Sequence, residues 1–142
     1  MMRHKGRMTR DGIRIHEPGD FAGMHAAGKI AAQILDEVAD LVQVGETTGA
    51  LDAFIERRVE ELGSTSATIG YKGYQHASCI SVNHVVCHGI PGDKKLKDGD
   101  ILNIDVMVIV DGWYGDTSRM YVAGKLSRKA ERLVQVTHDA LM

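Results

Sequence analysis

The sequence has no surplus of charge, few cysteines and no long apolar run, and each shortage excludes something. Seventeen Lys and Arg stand against nineteen Asp and Glu, a net charge of −2. That leaves no overall electrostatic case for a nucleic-acid partner, and DNA is not expected as one. The only cysteines are Cys79 and Cys87. They fall on what reads as one strand, on the same face but too far apart to bridge. Both are expected to be free thiols in a reducing compartment, the cytoplasm. No apolar run approaches the roughly 20 residues of a membrane span. No low-complexity segment or internal repeat interrupts the 142 residues, of which 44% are hydrophobic and 25% charged. One soluble domain with a real core is the expectation.

The N-terminus, Met1 to Arg10, is basic but leads into no apolar segment, so it does not read as a signal peptide. Residues 1–16 are expected to form a mobile basic tail. Such a tail is compatible with a weak contact to the ribosome or another polyanion.

What is present is organised around one stretch, Ile101 to Val122. Ile101–Val110 is almost wholly aliphatic and β-branched, which suits a strand. Asp111-Gly112 then supplies the two positive-φ positions of a type I′ turn. A hairpin with Val110 opposite Trp113 follows, and parity assigns the faces. Leu102, Ile104, Val106, Val108 and Val110 form one apolar side. Asn103, Asp105, Met107 and Ile109 form the other. Counting from the turn, Asp105 sits opposite Ser118 and Met107 opposite Asp116. Asp116 is therefore the diagonal neighbour of Asp105 on one face, roughly 7–8 Å away. Two carboxylates that close raise each other's pKa or need a cation. One reading is a divalent-metal site with ions about 3.5–4 Å apart. The other pairs Asp105 with a basic residue and leaves Asp116 on a surface turn. Gly115 is a candidate β-bulge that would re-aim Asp116.

Around the hairpin the pattern is helical at both ends. Pro18-Gly19-Asp20 opens a helix with the stripe Phe21, Met24, Ala27, Gly28, Ala31, Ile34, Leu35, Val38 and Leu41. Its small residues permit close packing. Thr47 or Thr48 caps a second helix with Leu51, Phe54, Ile55, Val59 and Leu62 inward and Gly63 at its end. Ser64–Tyr74 reads as a loop or irregular strand whose tyrosines either line a pocket or cover a core edge. Cys79–His88 alternates like a strand, with His88 beside the turn at Gly89–Asp93. Ser127 caps a last helix with no stop signal at its end, so it looks cut rather than finished. The class is α+β, helices on one face of an antiparallel sheet.

Three runs carry a resemblance. They are Tyr71-Lys72-Gly73-Tyr74 with Cys79-Ile80-Ser81-Val82-Asn83-His84-Val85-Val86-Cys87-His88-Gly89-Ile90-Pro91, then Leu96–Val106, then Asp111-Gly112-Trp113-Tyr114-Gly115-Asp116-Thr117. Together they resemble the N-terminal half of bacterial type I methionine aminopeptidases, from about Phe21 to Met142. The resemblance implies half of a pita-bread (creatinase/aminopeptidase-like) fold over residues 17–142. It implies metal-dependent removal of the initiator methionine from nascent polypeptides. On that template Asp105 and Asp116 ligate two divalent ions, of manganese, iron, cobalt or zinc. His88 contacts the substrate at the scissile bond as a catalytic residue, and Tyr71, Tyr74 and Cys79 line the methionine pocket. The backbone of Asn83 and Val85 matches a monovalent-cation site. Where the family pattern often has cysteine, this chain has Thr68. The family's remaining ligands, a His and two Glu, belong to a second half that finds no match here. The chain alone is therefore expected to be inactive or nearly so, completed by a missing half or by self-association as a dimer. The rival readings are a proline-specific pita-bread peptidase and a non-catalytic pita-bread binding module.

Overall fold

The computed structural model describes residues 6–142. Two short strands, β1 (Arg7–Met8) and β2 (Arg14–Ile15), pair antiparallel ahead of the first helix. The stretch expected to be a mobile basic tail, residues 1–16, holds this small hairpin in its described part. Each strand is two residues long, too short for alternation to reveal it. Met1–Lys5, the other part of that stretch, lie outside the described residues.

A single 3-10 turn at Pro18–Asp20 leads into α1 (Phe21–Val38). Proline suits that place because its missing N–H costs nothing in a first turn. Ala27, Ala31, Ile34, Leu35 and Val38 are buried on α1, whereas Phe21 and Met24 remain 55% and 47% exposed. Periodicity identified the face but not how far along the helix its partner reaches.

α2 (Thr48–Glu61) begins at Thr47, whose hydroxyl accepts from the Ala50 amide at 3.1 Å. Gly63 ends it at a positive φ. The Thr48 hydroxyl both receives from and donates to the backbone of Gly92, tying the helix start to the turn at Gly89–Asp93. Thr47→Ala removes the cap and is expected to cost about 1 kcal/mol, read as a lower urea midpoint. An unchanged midpoint would show that the cap is redundant with the Gly92 tether.

The sheet is built on β5 (Asp100–Val110). β6 (Trp113–Ala123) covers one edge along its whole length, and β3 (Thr65–Ser66) and β4 (Ser78–Val82) share the other end to end. Leu102, Ile104, Val106 and Val108 are fully buried under α1 and α2. The last helix, α3 (Arg128–Leu141), has no buried residue, and Leu133 and Val136 on it are exposed. The fold is α+β, helices against an antiparallel sheet.

Two expectations fail for physical reasons. Gly115 is not a bulge: the β5–β6 register runs unbroken from Asp100↔Ala123 to Val110↔Trp113. It is glycine because α1 crosses there. A Cβ would lie 2.3 Å from the carbonyl oxygen of Ala27. Nor is Cys79–His88 one strand. β4 stops at Val82, and Asn83 takes a positive φ of 54°. Asparagine tolerates that conformation, and its carboxamide holds the turn through Asp100 Oδ1 at 2.8 Å and the Ile101 amide at 3.1 Å. The chain then doubles back, so that the Ile80 amide donates to Gly89 O at 2.8 Å. Cys79 lies in the strand and Cys87 in an exposed loop, and both thiols are free. They do not share a strand, as the spacing had suggested.

Candidate active site

The turn at Asp111 and Gly112, both at positive φ, sets the hairpin register, with Asp105 opposite Ser118 and Met107 opposite Asp116. The two carboxylates share a face and interact. Burial first, and then the charge of Asp116, push the Asp105 carboxyl up from its ordinary value, while nearby His88 pulls it down. No basic side chain forms an ion pair with either among the described residues. A half-buried Asp105 beside an exposed Asp116 on one face is a hard oxygen donor set that fits a divalent cation. It is also an incomplete one. Among the described residues no group of three or more His, Cys, Asp or Glu comes together as a metal site.

Beside Asp105 opens a cavity of about 770 Å³ lined by Tyr71, Tyr74, Cys79, His88 and Asp105, with Ala67, Thr68, Lys72, Gly73, Met107 and Tyr114 completing the wall. Five expected site residues therefore meet in one place. Asp116 joins them through Asp105. Asn83 and Val85 are elsewhere, in the turn that follows β4.

Each wall residue has a local cause. Gly70 before the 3-10 turn Tyr71–Gly73 and Gly73 at its end take positive φ, and both tyrosines line the cavity. Lys72 is itself at positive φ, its ammonium 5.5 Å from the Tyr71 ring centroid. The Tyr74 hydroxyl donates to Ser78 O at 2.8 Å and accepts from the Cys79 thiol at 3.6 Å. Burial pushes both the phenol and the thiol up, so each stays protonated and uncharged at neutral pH. His88 is exposed at the rim with φ of 54°, a conformation that non-glycine residues adopt mainly where surroundings or function require it. Met107 and Tyr114 are wall residues that the sequence motifs do not single out. The same parity count that aligned the aspartates puts both on that face.

The sequence profile of metallopeptidase family M24 matches residues 22–142. The chain belongs to metallopeptidase family M24. Within the M24 family it is 52% identical to a methionine aminopeptidase of Rickettsia prowazekii (strain Madrid E) over 130 residues, covering 92% of this chain and 50% of that protein. It is 48% identical to a methionine aminopeptidase of Escherichia coli (strain K12) over 131 residues, 91% of this chain and 50% of that one. The crystal structure of the R. prowazekii methionine aminopeptidase superposes with a TM-score of 0.89, over 92% of this chain and 52% of the other. The resemblance read from the three sequence runs therefore holds, and so does half of the pita-bread fold of M24 enzymes. The chain spans about half the length of the curated relatives it matches.

Proposed function

We propose that this chain supplies the substrate pocket and part of the metal site of an aminopeptidase that removes the initiator methionine from nascent polypeptides. The observation that carries the reading is the placement of Asp105 and Asp116 on one face, against a cavity walled by Tyr71, Tyr74, Cys79 and His88. The M24 family makes a divalent-metal enzyme, and manganese, iron, cobalt and zinc all suit carboxylate ligands. Asp105 and Asp116 would hold two such ions, which when bound lower the pKa of water and polarise a peptide carbonyl.

The chain's own residues do the rest of its share. Tyr71, Tyr74 and Cys79 offer ring and sulfur surface against which a methionine side chain can pack. His88, at the rim beside Asp105, directs an imidazole N–H at the scissile amide. The carbonyls of Asn83 and Val85 are proposed to take a monovalent cation, outside the chemistry. The expected setting is the cytoplasm. Among the described residues no helix is long and apolar enough to cross a membrane. The basic N-terminal stretch is proposed to touch the ribosome weakly, near emerging chains.

The test joins this chain to the remaining half of the R. prowazekii relative. With Mn²⁺ or Co²⁺ the joined protein is expected to release methionine from a Met-Gly peptide. Asp105→Ala and Asp116→Ala are each expected to lower that rate by more than about a hundredfold, exceeding the usual loss from a ligand's supporting partner. A joined protein that folds and binds Mn²⁺ yet releases no methionine would sink the assignment.

A further inference from the structure

Asp52 is the one acidic side chain buried on the core face of α2, 4% exposed among Leu51, Ile55 and Val59. A carboxylate taken out of water is costly unless donors surround it. Its donors all come from one short segment far along the chain. His76 Nδ1 lies 3.0 Å from Oδ2, and the Ser78 amide and hydroxyl donate to Oδ1 at 2.9 and 2.6 Å. Residues 74–77 belong to no helix or strand. The carboxylate thus ties His76, which lies outside the ladder, and Ser78, the first residue of β4, to α2.

What hangs on that segment is the cavity wall. The Thr68 hydroxyl donates to His76 O at 2.7 Å, and the Tyr74 hydroxyl donates to Ser78 O at 2.8 Å. The Cys79 thiol reaches the same phenol oxygen at 3.6 Å. The His76 and Tyr74 rings meet edge to face, 5.6 Å between centroids at 65°. Thr68, Tyr74 and Cys79 line the cavity, whereas Asp52 and His76 do not.

We infer that Asp52 and His76 are positioning residues that fix the Thr68–Tyr74–Cys79 wall of the pocket. The pair acts by tethering the 76–78 segment to α2. With the tether in place, the wall is set before any ligand arrives, and its spacing decides which side chain fits. The consequence for methionine selection rests on the function proposed above. The tether itself does not, and the test reads the wall rather than hydrolysis, so failure of one is distinguishable from failure of the other.

The wall carries its own reporter. Cys79 is half-buried and Cys87 is exposed. On the full 142-residue chain below its melting temperature, iodoacetamide labelling at each thiol is followed by peptide mass spectrometry. In the parent, Cys87 reacts first and Cys79 slowly. His76→Ala is expected to speed Cys79 roughly tenfold relative to Cys87, in line with losing one hydrogen bond to a charged group. His76→Asn, whose side-chain N–H can occupy the place of Nδ1, is expected to stay within about twofold of the parent. His76 is one-third exposed, so neither change threatens the core. Asp52→Ala is expected to speed Cys79 at least as much as His76→Ala, and if it fails to fold, the two His76 variants still decide. A role in global stability alone would lower the melting temperature and leave the ratio of the two thiols unmoved. That result, or a His76→Asn variant as reactive as His76→Ala, would overturn the inference.

Discussion

The 142-residue chain, purified alone and supplied with Mn²⁺ or Co²⁺, is expected to release methionine from a Met-Gly peptide more than about a hundredfold more slowly than an intact methionine aminopeptidase. The reason is the ligand count. Asp105 and Asp116 are diagonal neighbours on one face, but among the described residues nothing brings a third and fourth candidate ligand to them. Losing one supporting partner of a metal ligand commonly costs ten- to a hundredfold, and here ligands themselves are wanting. Metal is therefore expected to bind weakly and leave readily on dialysis.

The same chain leaves apolar surface uncovered. α3 buries no residue, Leu141 on it is 83% exposed, and the outer edge of β6 has no partner among the described residues. Such surfaces invite self-association. A symmetric dimer would bring four aspartates into one assembly, so mass in solution is measured alongside turnover. Turnover comparable to an intact relative, from monomer or dimer, would overturn the claim that the remaining ligands are indispensable.

The second large effect is structural. Gly115→Ala is expected to destabilise the chain by more than about 3 kcal/mol, at or beyond the upper end of ordinary overpacking. The added Cβ would meet the Ala27 carbonyl oxygen at 2.3 Å, its carbon at 2.4 Å and the Gly28 nitrogen at 2.7 Å. All three are backbone atoms of α1, so no side chain can turn aside. The helix must lift from β6, opening the core around Ala31, Ile34 and Val108. Gly28→Ala is the matched control. It lies in the same helix, and its Cβ meets nothing within 4 Å. There the better helix propensity of alanine should stabilise by about 0.5–1 kcal/mol. Urea unfolding of both variants checks the pair. Equal midpoints would mean that the contact between α1 and β6 is looser than the structure shows.

Much of this site was open to reading before any coordinates. An extended chain sends alternate side chains to opposite faces, and Asp-Gly selects a tight turn. Those two facts alone placed Asp105 and Asp116 together, and the register of β5 and β6 agrees residue for residue. The apolar stripes of α1 and α2 followed from helical spacing for the same reason: periodicity is a property of local covalent geometry.

Only the tertiary structure decided where elements stop and what they press against. Asn83 permits a turn after Val82 but does not require one; the end of β4 is settled by its carboxamide reaching Asp100 and Ile101. Gly115 reads equally well as a bulge until Ala27, far away in sequence, is found against it. Asp52 looks like one more polar residue on a helix until His76 and Ser78 fold onto it. In each case the deciding energy is a contact between distant segments, steric or polar, which no local pattern encodes.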